Sequence, residues 1–91
     1  MNVARGRFEI KNKLGLHARA ATKLVQVASR YSCEVNVGRD GQVANAKSVM
    51  GVLLLCGSQG TCIDVEAEGD RAHEAVAEIG ALIADLFGEG E

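Results

Sequence analysis

The chain has no tryptophan, no proline, three aromatic residues in all and an odd number of cysteines. Most of these shortages exclude a class of function. Three rings leave little on which nucleic-acid bases could stack. A formal charge of −2 offers no basic stripe for a phosphate backbone, so no nucleic-acid partner is expected. The longest apolar run, at 52–56, is far too short to cross a bilayer. The opening residues Met1-Asn2-Val3-Ala4-Arg5-Gly6-Arg7 contain no apolar core of signal-peptide length. A cytoplasmic protein without membrane insertion is therefore expected. Cys33, Cys56 and Cys62 form no C-x-x-C pair, which argues against a zinc or disulfide framework and for thiols kept reduced. No metal and no cofactor are expected. The P-loop pattern is absent, and no Ser/His/Asp set or carboxylate pair suggests hydrolysis.

What is present fits one domain over 1–91, long enough to bury roughly 60–65% of its unfolded surface. Alternation of polar and apolar residues predicts a first strand over 7–11. A loop over 12–15 follows. From Ala18 the spacing becomes helical, with Ala18, Ala21, Leu24, Val25 and Ala28 on one face and an end near Tyr31. Cys33, Val35 and Val37 mark a second strand. The Asp40-Gly41 pair signals a hairpin into a short third strand over 42–46. Ser48 is a good N-cap for a brief helix over 49–54, and 57–60 breaks the chain again. The clearest strand covers 61–67, with Ile63, Val65 and Ala67 inward. Asp70 is the expected cap of a last helix whose stripe is Ala72, Ala75, Val76, Ile79, Leu82, Ile83 and Leu86. The tail over 88–91 is expected to fray. The order β-α-β-β-α-β-α, with alternating strands, implies a largely antiparallel sheet covered by helices on one face, in the α+β class. Periodicity does not give the strand order.

The chemistry concentrates at Asn12-Lys13-Leu14-Gly15-Leu16-His17-Ala18-Arg19-Ala20-Ala21. A turn ends at Gly15 and a helix starts just after it. Such a start exposes N–H groups that have no partner within the helix, at the positive end of its dipole. That is a natural seat for an anion. His17 places a nucleophilic ring nitrogen beside the seat, and Arg19 can bring a planar, permanently charged fork to the same anion. A phosphoryl group on His17 would add nearly two negative charges there. The dipole would favour it by about 0.3–1 kcal/mol, or about 2 when partly buried, which holds the group without trapping it. His73, beside Glu74, reads as a surface residue. Around Ser48, the residues Val49, Met50 and Leu53 cannot all face the core of so short a helix. An exposed apolar patch, suited to docking, is expected.

The stretch from Asn12 to Ala21 resembles the active-site motif of the HPr family, the histidine-containing phosphocarriers of the bacterial phosphoenolpyruvate-dependent sugar phosphotransferase system. Ala46-Lys47-Ser48-Val49-Met50-Gly51 resembles the family's second motif, around a regulatory serine. The likeness runs from Arg7 to Phe87. It implies an open-faced β-sandwich, a four-stranded antiparallel sheet of order 1-4-2-3 with three helices on one face. It implies that His17 takes a phosphoryl group on Nδ1 from phosphorylated enzyme I and passes it to a histidine of an EIIA domain. Arg19 and the N–H groups of Ala18 and Arg19 would stabilise that group. Ser48 matches the residue modified by an HPr kinase/phosphorylase. Thr22, Gln26 and Ser29, with Val49, Met50 and Leu53, match the partner-docking face. The protein would be a monomer and a substrate of phosphotransferases rather than an autonomous enzyme. Ala20 stands where the family motif normally has proline. Proline in a first turn removes an N–H that lacks a helical partner anyway, so carrier chemistry should survive the exchange. A nitrogen-related or other regulatory paralogue would share this chemistry. A pure interaction module would leave His17 unused.

Overall fold

The computed structural model describes residues 2–88. Strand β1 is Val3–Glu9, helix α1 Ala18–Ser29, strand β2 Glu34–Arg39, strand β3 Gln42–Asn45, helix α2 Val49–Leu54, strand β4 Cys62–Glu68 and helix α3 Ala72–Ala84. The four strands form one sheet in the order β1-β4-β2-β3, antiparallel throughout. Period-two alternation sets the register: Phe8 lies opposite Ile63, Val35 opposite Ala67, and Val37 between Val65 and Ala44. The inward set Ala4, Val35, Val37, Ile63, Val65 and Ala67 is buried. On the open face Arg5 and Arg7 pair across strands with Glu66 and Asp64. These pairs are solvent-exposed and contribute little.

Helix α3 lies on β1 and β4, and α1 packs against α2 and α3. Leu24 and Ile79 are fully buried where these layers meet, each contributing roughly 1.5–3 kcal/mol. The hairpin turn places Asp40 at φ 50 and Gly41 at φ 83, the doubly left-handed pair that joins twisted strands with least splay. After α3 a turn at Leu86–Gly88 drives the Phe87 ring into the core, and Lys23 Nζ donates to the Phe87 carbonyl at 2.6 Å.

Several expectations need correction. The first strand lies earlier than 7–11, because pairing with β4 carries it from Val3 and ends it at Glu9. α1 ends at Ser29 with Arg30 as its C-cap, close to the expected end near Tyr31. The buried face of α1 is Ala20, Ala21, Leu24, Val27 and Ala28, while Ala18 is exposed and Val25 half-buried. Asp70 does not cap α3. Arg71 holds that place in the left-handed region at φ 59. Its guanidinium sits over the Tyr31 ring, 4.9 Å from the centroid, and donates to Glu74 Oε2 from Nε at 3.0 Å and Nη2 at 2.7 Å. Tertiary contacts thus hold a conformation that local preference disfavours. The expected fraying of the tail concerns, beyond Gly88, residues outside those described.

Candidate functional site

The corner that carries His17 is made by two loops pressed together. Asn12, fully buried, donates from Nδ2 to the Gly15 carbonyl at 2.8 Å, and the Gly15 N–H returns to the Asn12 carbonyl at 3.2 Å. Gly15 is left-handed at φ +65, and a Cβ there would stand 2.4 Å from the Gly57 carbonyl oxygen. Leu16, buried, donates its N–H to that same oxygen at 2.7 Å. A Cβ on Gly57 would meet Leu16 Cδ1 at 2.7 Å, so neither loop has room for a larger residue. Further bonds tie the strand ends: Ile10 N–H to Thr61 O at 2.8 Å, Gly60 N–H to Ile10 O at 2.7 Å, and Gln59 Nε2 to Lys11 O at 3.1 Å.

This clamp delivers His17 to the N-cap of α1. Its backbone is extended, φ −74 and ψ 177, and its carbonyl accepts the first helical bond, from Ala21 N–H at 2.8 Å. The N–H groups of Ala18, Arg19 and Ala20 precede that bond and have no acceptor within the helix. The His17 side chain makes no cap bond, and no acidic residue lies in the first turn. The positive end of the dipole therefore has neither a side-chain cap from His17 nor a carboxylate from its own first turn. Arg19 is exposed in the same turn and makes no ion pair among the described residues. An imidazole, orphan donors and a guanidinium thus share one helix turn, an arrangement suited to carrying a small, highly charged anion.

Ser48 is the N-cap of α2, as expected, its Oγ accepting the Gly51 N–H at 3.1 Å. Thr22, Gln26 and Ser29 are exposed along α1, and Thr22 donates its hydroxyl back to the Ala18 carbonyl at 2.8 Å. Met50 is 67% exposed, whereas Val49 and Leu53 are half-buried. Of the other exposed large apolar side chains, Val3 at 36% and Val43 at 73% lie on strands, while Leu14 at 68% and Leu54 at 70% lie in the loop before α1 and in α2. Sequence reasoning missed Leu14 and Leu54. Leu54 could have been found from its i+4 spacing to Met50, which puts the two on one side of the helix. His73 is exposed in the first turn of α3. Cys33 is a buried free thiol, and Cys56 and Cys62 are exposed free thiols. Among the described residues no three metal-ligating side chains converge, and no helix is long and apolar enough to cross a membrane.

Comparison with known proteins agrees with this geometry. A family model described as "PTS HPr component phosphorylation site" matches residues 4–85. The phosphocarrier protein HPr of Cupriavidus necator is 46% identical over 82 residues, covering 90% of this chain and 92% of the relative. The phosphocarrier protein NPr of Klebsiella oxytoca is 44% identical over 82 residues, covering 89% and 91%. Among solved structures, HPr-C-His from Thermoanaerobacter tengcongensis superposes with a TM-score of 0.91 at 45% identity, covering 94% of this chain and 97% of that one. Most of the length of the fold is thus shared with phosphocarriers, and the chain belongs to the HPr family.

Proposed function

We propose that the protein is a cytoplasmic phosphocarrier that accepts a phosphoryl group on His17 from phosphorylated enzyme I and passes it to a histidine of an EIIA domain. The Nδ1 lone pair attacks phosphorus, the bond from phosphorus to the donor's carrier atom breaks, and that bond's electron pair stays with the donor. The second transfer repeats the step with His17 as the leaving group. Arg19 and the first-turn N–H groups, including those of Ala18 and Arg19, stabilise the phosphoryl oxygens between the two transfers. The observation that carries this reading is the N-cap position of His17 at a helix start whose first turn holds no acid. Partners dock on Thr22, Gln26 and Ser29 with Met50 and the flanking Val49 and Leu53, a face that Leu14 and Leu54 extend. A kinase of the HPr kinase/phosphorylase type modifies Ser48. The protein acts as a monomer and as a substrate of transferases.

The test is incubation with phosphoenolpyruvate and enzyme I, followed by intact-mass measurement before and after acid. An acid-labile gain of one phosphoryl group supports the reading, and no gain with several enzymes I sinks it. The similarity to the Klebsiella NPr, close to that of the Cupriavidus HPr, favours a second reading with the same chemistry and a regulatory output. Relative transfer rates to sugar-type and nitrogen-type EIIA domains separate the two.

A further inference from the structure

Arg39 ends β2 and reaches the chain just after α2. Its side chain is 27% exposed, and its guanidinium is drawn onto the C-terminal end of α2. Nη1 donates to the Leu55 carbonyl at 2.9 Å and the Cys56 carbonyl at 3.2 Å. No N–H of the short helix reaches these acceptors, and a cation there also complements the negative end of the dipole. The rival partner, Asp40, is exposed and lies 3.7 Å from Nε, too far and too wet to compete. The chain needs the support at this point, since Cys56 is left-handed at φ 53. The next residue is Gly57, whose carbonyl holds the Leu16 N–H and abuts Gly15 with no space for a methyl group on either side. Leu16 directly precedes His17.

We infer that Arg39 is a positioning residue for His17: by fixing the Leu55 and Cys56 carbonyls it fixes Gly57, and Gly57 fixes the N-cap of α1. The contact is close-packed on both sides, so a shift of Gly57 displaces Leu16 rather than being absorbed by a gap. Arg39 touches neither the ring nor the phosphoryl seat. Its effect appears in the rate of transfer, not in docking. This inference rests on the carrier reading given above.

Arg39→Ala and Arg39→Lys provide the test, alongside the parent protein. Amide hydrogen exchange reads the link itself. Leu16 should exchange faster in Arg39→Ala, on the order of tenfold, while Leu24 within α1 stays as in the parent. Transfer from phosphorylated enzyme I should lose on the order of tenfold in kcat with KM unchanged, a part of the hundredfold that an ångström of misplacement can cost. Arg39→Lys keeps one cationic donor and should recover part of both losses. A lower melting temperature in Arg39→Ala with Leu16 exchange and kcat unaltered would make Arg39 a support for α2 alone and overturn the inference. Should Arg39→Ala fail to fold, Arg39→Lys against Arg39→Gln carries the same comparison. A parent protein that takes no phosphoryl group overturns the carrier reading itself, an outcome distinct from a parent that does and an Arg39 variant that matches it.

Discussion

Two helix starts in this molecule are built in opposite ways. At α2, Ser48 turns its hydroxyl back onto its own helix and accepts the Gly51 N–H. At α1, His17 holds the same cap position with a similarly extended backbone, yet its side chain makes no cap bond. Neither first turn carries an acidic residue. The start of α2 is completed from within. The start of α1 receives no acceptor from the side chain of its own cap residue. α3 shows a third solution, in which Arg71 and Glu74 pair within the first turn and leave little net field for an anion. A cap normally adds about 1 kcal/mol, so its omission at α1 is a stability cost borne at the turn that holds His17.

The most severe way to break the contrast is to remove the attachment point. His17→Ala should abolish the acid-labile mass gain while changing unfolding free energy by no more than about 0.5 kcal/mol, because the side chain is only half-buried at a loop–helix junction. A phosphoryl gain in that variant would place the acceptor elsewhere. Next comes the scaffold of the open start. Gly15→Ala must put a Cβ 2.4 Å from the Gly57 oxygen at φ +65, and should cost more than about 2 kcal/mol in urea unfolding while slowing transfer. A stable, fully active Gly15→Ala would show that the two loops can part without harm.

The closed start can be opened in a graded way. Ser48→Ala should lose about 1 kcal/mol and leave transfer near the parental rate. Ser48→Asp keeps an acceptor and adds charge at the favourable end of the helix, so its melting temperature should be equal or slightly higher. Its charge borders the exposed apolar patch, which a partner must dry or face with its own acids, so transfer should weaken. An unfolded Ser48→Asp would make the cap the dominant role. A folded one with unaltered transfer would remove Ser48 from the docking rim.

The third start has a pH signature. Tyr31 donates its hydroxyl to the Glu78 carboxylate, which raises its pKa above the ordinary 10.0 chiefly through that bond, with burial and the Glu78 charge adding to it. Protonated Tyr31 is thus favoured in the folded state. Its stabilisation is complete below pH 10 and is lost as pH rises through the raised value. Melting temperature followed through that interval should fall more steeply in the parent than in Tyr31→Phe, and equal slopes would refute the link. The smallest effect belongs to Ala20→Pro, which removes an N–H that precedes the first helical bond. It should change stability by no more than about 1 kcal/mol. A larger loss, or slower transfer, would give the Ala20 donor a part in the open start.

Much of this was legible from residue pattern, and the failures have definite causes. Alternation located the inward faces of β2 and β4, and the Asp40-Gly41 and Ser48 signals are local chemistry that tertiary contacts did not overrule. The face of α1 was misplaced because Ala18, Ala20, Ala21 and Ala28 are all small and apolar, and alanine marks an interior only weakly. The Arg71 cap depends on the Tyr31 ring and so belongs to no local pattern. The facing pair Gly15 and Gly57 arises from two loops distant in sequence, and no spacing rule connects them. The strand order came from family resemblance rather than from periodicity.

That strand order also bears on how the molecule assembles. β2 and β3 meet through a two-residue turn, and the helices form from neighbouring residues. β1 has one partner, β4, reached only after α1, the hairpin and α2 have been passed. Closing so long a loop carries the largest entropic penalty of any strand pairing here and forms the least local contacts. The bonds from Ile10 to Thr61 and from Leu16 to Gly57 lie just beyond the end of that pair. The corner that holds His17 therefore depends on the least local strand pairing, and by contact order a chain that has formed only its helices and hairpin has not yet built that corner.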